Sequence, residues 1–476
     1  MRVLGFSEGF HDAAVTVLDG SEILFAGHSE RFSKVKNDKY VCQELKDYVK
    51  EYTHGLRPPE IAFYERPFIK RTRQAYAGQW KSAFKARHLN YKYDHCFNHH
   101  LSHAAAAFQC SPFSNANALV VDAIGEWDTV SIWYCEYVNE KAVYKKVKSM
   151  RYPTSIGLFY SAVTARVGLK PMEDEYITMG MAAYGKPNKE LYEELRRLML
   201  KKNLHRGMNG LLSEYDDVDI AFNAQKLVEN ILKTFVNKLD KDLPMVYGGV
   251  ALNSVANGLI LRNKQHYVFP NPGDAGSSLG AAALVHRNKI NYPHSFHGYK
   301  LPMLTIDQIK HVVDVLEKGE PVGIAAGKAE FGPRALGNRS LLCDPRTSEN
   351  KDRVNDIKKR QKFRPFAPSI LSEHASKYFR TFRQHDYSYM QNVVKTRDSS
   401  FLATMHEDGS ARVHTVDRST WCHSPLRHIL EIWYERTGCP TLLNTSLNIK
   451  GQPMVNDRAD AKAFADEYGV EVVCNG

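Results

Sequence analysis

The stretch LVVDAIGEWDTVSIWYCE (119–136) reads as a buried strand, a Gly/Asp-rich turn and a second strand. β-branched and aromatic residues fill its two arms, and the turn residues lie between them. A looser version of the same text stands 116 residues earlier. There VLGFSEGFHDAAVTVLDG (3–20) sets Gly9 over Gly125 and Asp12 over Asp128. A Gly20 turn and the strand-like EILFAGHSE (22–30) follow it. A strand–turn–strand module that occurs twice points to an internal duplication.

Two related lobes, each offering a hairpin turn, fit the actin-like ATPase fold, with nucleotide held between the lobes. Glycine in such turns lets backbone N–H groups close on phosphates. A second pointer is PMVYGGVALNSVANGLI (244–260), a strand, the Gly248–Gly249 turn and the start of a helix whose N-terminus can face phosphate. Residues 190–240 read as amphipathic helices. The Pro- and His-rich NYPHSFHGYKLPML (291–304) reads as a linker. The expected class is therefore α/β: an actin-like domain over 1–300 and a second α/β domain over 301–476. A chain of 476 residues exceeds one ordinary core, which agrees.

Composition narrows the class. With 43% hydrophobic and 25% charged residues, the chain is that of a water-soluble protein. No apolar run reaches the ~18 residues of a membrane helix, and the N-terminus has no signal-peptide core. The eight cysteines are scattered with no CxxC pair, which excludes a disulfide framework and a zinc ribbon and points to a reducing cytoplasm.

Between the two modules lies FNHHLSHAAAAF (97–108). The alanines favour a helix, and residues four apart share a helix face. His99 and His103 therefore pair, while His100 points elsewhere. An HxxxH pair can hold one metal ion through neutral imidazoles, or be two structural histidines. Asp122 ends the strand ALVVD and Asp274 opens a Gly-rich turn. Each can be read as a turn or cap residue. Taken with the histidines they make a mixed N/O set suited to iron, manganese or zinc.

The net charge of +11 is high for an enzyme of small metabolites and suits a polyanion. The excess is local. Residues 66–92 hold eight Lys/Arg and no acid, interleaved with Phe68, Tyr76, Trp80, Phe84 and Tyr91. Lys70, Arg71, Arg73, Lys81, Lys85 and Arg87 with aromatics between them have the composition of a nucleic-acid surface. The i, i+4, i+8 spacing of Tyr76, Trp80 and Phe84 also permits a buried stripe.

Residues 301–476 carry anion chemistry. FGPRALGNRSLLCDPR (331–346) holds Arg334, Arg339 and Arg346 among glycines, and IKKRQKFRPFAPSIL (357–371) adds Lys358, Arg360, Lys362 and Arg364. LLNTSLNIKGQP (442–453) adds Asn444, Thr445, Ser446 and Asn448. Guanidinium forks with small hydroxyls and amides suit a phosphate bearing a carbonyl.

Six motifs in order, NHHLSHAAAAF, YGGVALN, NPGDAGSSLGAA, FGPRALGNRS, FRPFAPSIL and LLNTSLNIKGQP, resemble the O-carbamoyltransferases of antibiotic biosynthesis and nodulation-factor decoration. The resemblance implies an actin-like domain joined to a YrdC-like domain. It implies that ATP and carbamoyl phosphate form a carbamoyl-adenylate, whose carbamoyl group passes to a hydroxyl. By the same resemblance His99, His103, Asp122 and Asp274 are the ligands of a divalent transition metal, usually Fe(2+). Gly248, Gly249, Val250 and Asn253 form the adenylate loop. His11, with Asp12, stands near the acceptor. Arg334, Lys358, Arg360, Arg364, Asn444 and Ser446 bind carbamoyl phosphate and nucleotide. Three residues depart from the family's pattern: Ile177 for a usual Lys, Leu447 for Phe and Gln452 for Glu.

The basic segment directs the expected acceptor toward DNA, as the primary alcohol of 5-hydroxymethylcytosine. The alternatives are a small sugar, aminoglycoside or nucleotide hydroxyl, or a tRNA-modifying or nucleic-acid-binding relative. The sequence leaves a homodimer open.

Overall fold

The repeated module takes the same strand order twice. In the computed structural model, which describes residues 1–53, 58–84, 93–201, 204–382, 385–420 and 422–475, the first sheet contains β1 (Arg2–Ser7), β2 (Ala14–Asp19), β3 (Glu22–His28), β4 (Glu60–Phe63) and β5 (His95–Cys96). Their order is β3-β2-β1-β4-β5. The second contains β6 (Asn115–Gly125), β7 (Asp128–Val138), β8 (Lys141–Arg151), β9 (Met245–Gly249) and β10 (His266–Val268). Their order is β10-β9-β6-β7-β8. Counted within each sheet, both read third, second, first, fourth, fifth. The β6–β7 and β7–β8 pairs are antiparallel, whereas β9 on β6 and β10 on β9 are parallel. The matching β4 on β1 and β5 on β4 are parallel too. The expected duplication and α/β class are therefore present in the topology.

A parallel return needs a long crossover. Between β8 and β9 it is helical. The Asp217–Val236 helix buries Ile220, Ala224, Leu227 and Val228, one face at the i, i+4, i+7, i+8 spacing. That face joins Phe159, Leu191, Leu119 and Tyr247 in one core. The His99–Gln109 helix is buried nearly all round, because Ala104 to Ala107 leave room for neighbours on every side. It packs against the Ser277–His286 helix at Gly280, where a Cβ would lie 1.9 Å from Ser102 O.

The chain divides into two compact units. One holds Met1–Gly9, Val15–Ile23 and Thr53–Tyr292; the other holds Phe10–Ala14, Leu24–Tyr52 and Pro293–Gly476. The second unit contains β11 (Phe296–Lys300), β12 (Val322–Ala325), β13 (Lys328–Glu330), β14 (Arg339–Cys343), β15 (Ala367–Leu371), β16 (Val393–Lys395), β17 (Ser410–Arg412), β18 (His414–Val416), β19 (Thr441–Ser446) and β20 (Val472–Val473). Six of them form a mixed sheet of order β18-β15-β19-β14-β12-β20. Its core takes Val312, Val313 and Leu316 from the Ile306–Glu317 helix, and Leu426, Ile429, Leu430 and Trp433 from the Leu426–Thr437 helix. No helix among the described residues is long and apolar enough to cross a membrane.

Candidate active site

The HxxxH reading is realised as geometry. Asn98 caps the His99–Gln109 helix, its side chain accepting from Leu101 N at 3.1 Å. The first turn then aims His99 and His103 the same way. His99 Nε2 and His103 Nε2 stand 3.1 Å apart. Asp122 enters from β6, with Oδ2 2.8 Å from His99 Nε2. Asp274 enters from the turn before the Ser277–His286 helix. Its Oδ1 is 3.4 Å from His99 Nε2 and 3.3 Å from His103 Nε2. One donor atom from each of the four lies within 4.8 Å of the others.

Two nitrogens and two carboxylate oxygens converging in a largely buried spot suit one divalent cation, so the donor set fits a metal. Burial pulls the His99 imidazole down, but Asp274, Asp122 and Glu65 outweigh it and hold it well above the usual range. Burial and Asp274 push Asp122 up, yet His99 and His103 bring it below the usual carboxylate range. His100 is different. Burial, then the charge on His99, keeps it well below the imidazole range, and its Nδ1 is 2.7 Å from Ser131 Oγ.

Glycines make room for this cluster. A Cβ on Gly125 would lie 2.5 Å from His99 Cδ2 and 2.4 Å from His100 Cδ2. One on Gly248 would lie 3.3 Å from His103 Cβ. The diglycine turn therefore ends directly against the His99–Gln109 helix. Gly249 has φ 74°, and Asn253 caps the following turn by accepting from Ala256 N at 3.0 Å. Asn253 also exchanges hydrogen bonds with Gln225 at 3.0 and 3.1 Å, so its amide is committed within the protein. Val250 begins the short turn between them.

His11 Nδ1 lies 2.9 Å from Asp12 Oδ2, and Asp12 has φ 52°. Of the three departures, Ile177 is buried in the Glu175–Met181 helix and Leu447 is fully buried, while Gln452 is exposed.

In the second unit the basic residues divide by what they touch. Arg339 is fully buried and donates to the carbonyls of Ala326, Asn338 and Asn456 at 2.7, 2.8 and 3.0 Å. Arg346 forks onto Asp344. Lys358 directs its ammonium to Ser446 O, Asn448 O and Asn448 Oδ1 at 2.7, 2.8 and 2.6 Å. These three brace the loops. Burial, reinforced by Arg360 and Arg364, pulls Lys358 well below its usual range. Arg360 donates to Asn355 Oδ1 at 2.7 Å and lies over the Phe366 ring at 4.0 Å.

Arg412 on β17 was not singled out by sequence. Burial and then the charges of Arg334, Arg360 and Arg364 pull its guanidinium well below the usual range. Its Nε is buried with no hydrogen-bond partner. Asn444 donates to Ser369 Oγ at 2.9 Å, and its Oδ1 is likewise buried and unpartnered. Ser446 Oγ donates to Asn448 Oδ1 at 2.7 Å. One buried guanidinium depressed by three others makes a place for an anion. No local spacing joins Arg412 to the others.

The basic segment needs correction. It forms two short helices, Pro67–Tyr76 and Trp80–Ala83, with Gly78 at φ 75° between them. The break turns the aromatic stripe outward: Phe68, Tyr76, Trp80 and Phe84 are 74, 71, 58 and 76% exposed. Lys70 and Arg73 take the inward face. Lys70 Nζ is 2.7 Å from Glu65 Oε1, and Arg73 Nε donates to Glu126 O at 3.1 Å. Both are buried, which removes them from a polyanion-facing surface. Arg71 is half-buried and Lys81 exposed, while Lys85 and Arg87 lie outside the described residues. Glu65 and Glu126, passed over in the sequence, hold the segment beside the His99–Gln109 helix.

Comparison with known proteins agrees with the motifs. Residues 43–227 match the family model described as Carbamoyltransferase N-terminus, and residues 313–476 match Carbamoyltransferase C-terminus. Nodulation protein NolO of Bradyrhizobium diazoefficiens is 31% identical over 76% of this chain and 75% of its own. The 3'-hydroxymethylcephem-O-carbamoyltransferase of Amycolatopsis lactamdurans is 25% identical over 99% of this chain and 97% of its own. Among solved structures, HypF of T. kodakarensis aligns with 60% of this chain and 48% of its own at TM-score 0.36 and 12% identity. A Sua5 structure from P. abyssi aligns with 34% of this chain and 44% of its own at TM-score 0.26 and 14% identity. The two family models and the similarity to NolO make this chain an enzyme of the carbamoyltransferase family.

Proposed function

We propose that the chain is an ATP-dependent O-carbamoyltransferase with its chemistry divided between residues 1–300 and 301–476. In the second part Arg334, Arg360, Arg364 and Arg412 hold the phosphate charge of carbamoyl phosphate and ATP. Lys358, Asn444 and Ser446 shape the wall around them. Water cleaves carbamoyl phosphate there to carbamate and phosphate, and the carbamate oxygen displaces pyrophosphate from the α-phosphorus of ATP to give a carbamoyl-adenylate. Gly248 and Gly249 offer backbone to its adenylate in the first part, and AMP leaves when the acceptor oxygen takes the carbamoyl group. A divalent cation on His99, His103, Asp122 and Asp274 would polarise the oxygen of the transferring group. Asp12 fixes the His11 tautomer by accepting from Nδ1, which makes Nε2 the basic nitrogen that takes the proton of the acceptor hydroxyl.

The observation that carries the reading is the pair of sites in a chain of this family. One is an N/O donor cluster, and the other is an arginine cluster around an unpartnered Arg412 Nε.

For the acceptor we favour the hydroxymethyl group of 5-hydroxymethylcytosine in DNA. Support comes from the exposed Phe68, Tyr76, Trp80 and Phe84, with Lys81 among them, in a chain of net charge +11. Such rings stack on bases, and a duplex base would flip out to react. The second reading is a small-molecule alcohol, favoured by the relative named for a hydroxymethylcephem.

The test is mass spectrometry after incubation with ATP, carbamoyl phosphate and Fe(2+). A carbamoyl mass gain on hydroxymethylated DNA alone is expected, weakened by salt. A gain only in a pool of sugar, aminoglycoside and cephem alcohols would move the acceptor to the second reading. No gain in either, with ATP unconsumed, would remove the reaction.

A further inference from the structure

Two polar chains run from the Pro67–Tyr76 helix to the start of the metal-site helix. In the first, Lys70 Nζ lies 2.7 Å from Glu65 Oε1, and Glu65 Oε2 lies 3.8 Å from His99 Nδ1. Their side chains are 11, 3 and 3% exposed, so water screens little of this line. In the second, Arg66 Nη2 and Asn98 Nδ2 both donate to Glu126 Oε2, at 2.6 and 3.0 Å. Asn98 is the cap of the helix that bears His99. The segment that the sequence offers as a phosphate-binding surface thus commits two of its cations, buried Lys70 and the more exposed Arg66, to the carboxylate beside His99 and to the Glu126 that holds the cap of its helix.

His99 has one nitrogen in the donor cluster and one outside it. Nε2 faces Asp122, Asp274 and His103. Nδ1 is buried and lacks a hydrogen bond, and Glu65 is the carboxylate that faces it at ion-pair distance. A ligating imidazole needs its lone pair on the metal side and its proton on the other, and a carboxylate at the outer nitrogen enforces that tautomer. A buried carboxylate in turn needs a counter-charge, which Lys70 supplies.

We propose that Glu65 is a positioning residue for the metal centre and that Lys70 is its counter-ion. Glu65 holds the His99 proton on Nδ1 and leaves Nε2 to ligate. Lys70 keeps Glu65 charged and in place, so the Pro67–Tyr76 helix reports its own docking to the metal site. The inference rests on reading the four-residue cluster as a metal site. It does not depend on the acceptor.

The test uses the full chain stripped of metal. Co(2+) affinity is measured by its visible absorption in competition with a chelator, for wild type and for Glu65→Gln, Glu65→Asp, Lys70→Met and Lys170→Met. Lys170 is an exposed partner of Glu173 and serves as the control. Glu65→Gln should weaken binding about 10–100-fold, Glu65→Asp should restore part of it, and Lys70→Met should fall between. Nitrogen-15 spectra of the His99 ring in the Zn(2+)-loaded chain should show Nε2 ligated and Nδ1 protonated in wild type, with the Nδ1–H signal displaced in Glu65→Gln. This second readout stands if one variant folds poorly. Wild-type affinity and ring shifts in Glu65→Gln would overturn the inference alone. No Co(2+) binding by the wild-type chain would overturn the metal reading and the inference with it.

Discussion

Gly248 and Gly249 are adjacent, yet a methyl group would mean different things at each. At Gly249 a Cβ would lie 1.9 Å from Val121 O, on a backbone at φ 74°. Strain and backbone overlap together should cost about 2–5 kcal/mol, so Gly249→Ala is expected to lower the first unit's melting temperature sharply. At Gly248 the nearest atom is His103 Cβ at 3.3 Å. Gly248→Ala should fold, and should show itself as weaker metal binding through a displaced imidazole. A thermal melt and a chelator titration on both variants separate the two cases. The same scale shows what a sequence can carry. His99 and His103 are legible because the helix repeat alone puts them together. Asp122 and Asp274 join those histidines by donor type and by the resemblance rather than by spacing, and β6 runs on past Asp122 to Gly125 instead of ending there. Glu65 and Arg412 are not legible, since their roles come from partners far away in the chain. Lys358 misleads in the other direction. In the text it is one more cation in a basic run, and in the fold three oxygens surround its ammonium.

The His99–Gln109 helix depends on its first residue's predecessor. Asn98 accepts from Leu101 N and donates to Glu126, so one amide both caps the helix and ties it to the β6–β7 turn. Asn98→Ala should cost about 1–2 kcal/mol as a lost cap, read by denaturant unfolding. It should also raise hydrogen exchange in the first helical turn while the Asp217–Val236 helix stays protected. The failure at residues 66–84 has a plain cause. A period of 3.6 was carried across Gly78, where the chain leaves the helix, so the aromatic stripe came out on the opposite side. Two short helices obey no common period, and partners outside both, Glu65 for Lys70 and the Glu126 carbonyl for Arg73, receive the cations that turn inward.

Acid should act on the second unit. Burial holds His28 and His414 at about 3 and His294 at about 4, against an ordinary 6.5. The unfolded chain takes up these protons as pH falls through 6.5, whereas the folded chain does so only near 3 to 4. Between those limits the unfolded state binds more protons, so stability falls with pH. The slope is about 1 kcal/mol per pH unit each for His28 and His414. Glu373, held by Arg427 at about 2 against 4.5, adds a loss at lower pH, from 4.5 downward. Thermal melts at pH 7.5, 6.5 and 5.5 should show the decline, and His414→Gln should flatten it. The broad architecture was legible because the hairpin text occurs twice. The mixed sheet of the second unit was not, because β15 and β19 pair across more than seventy residues. The doubled strand order has a meaning for ancestry. A gene copied end to end begins with two identical turns, each free to drift once the other suffices. Here the matched aspartates have parted company: Asp12 attends an imidazole, whereas Asp128 is buried under Lys146. One heir still holds a titratable ring, and the other became masonry.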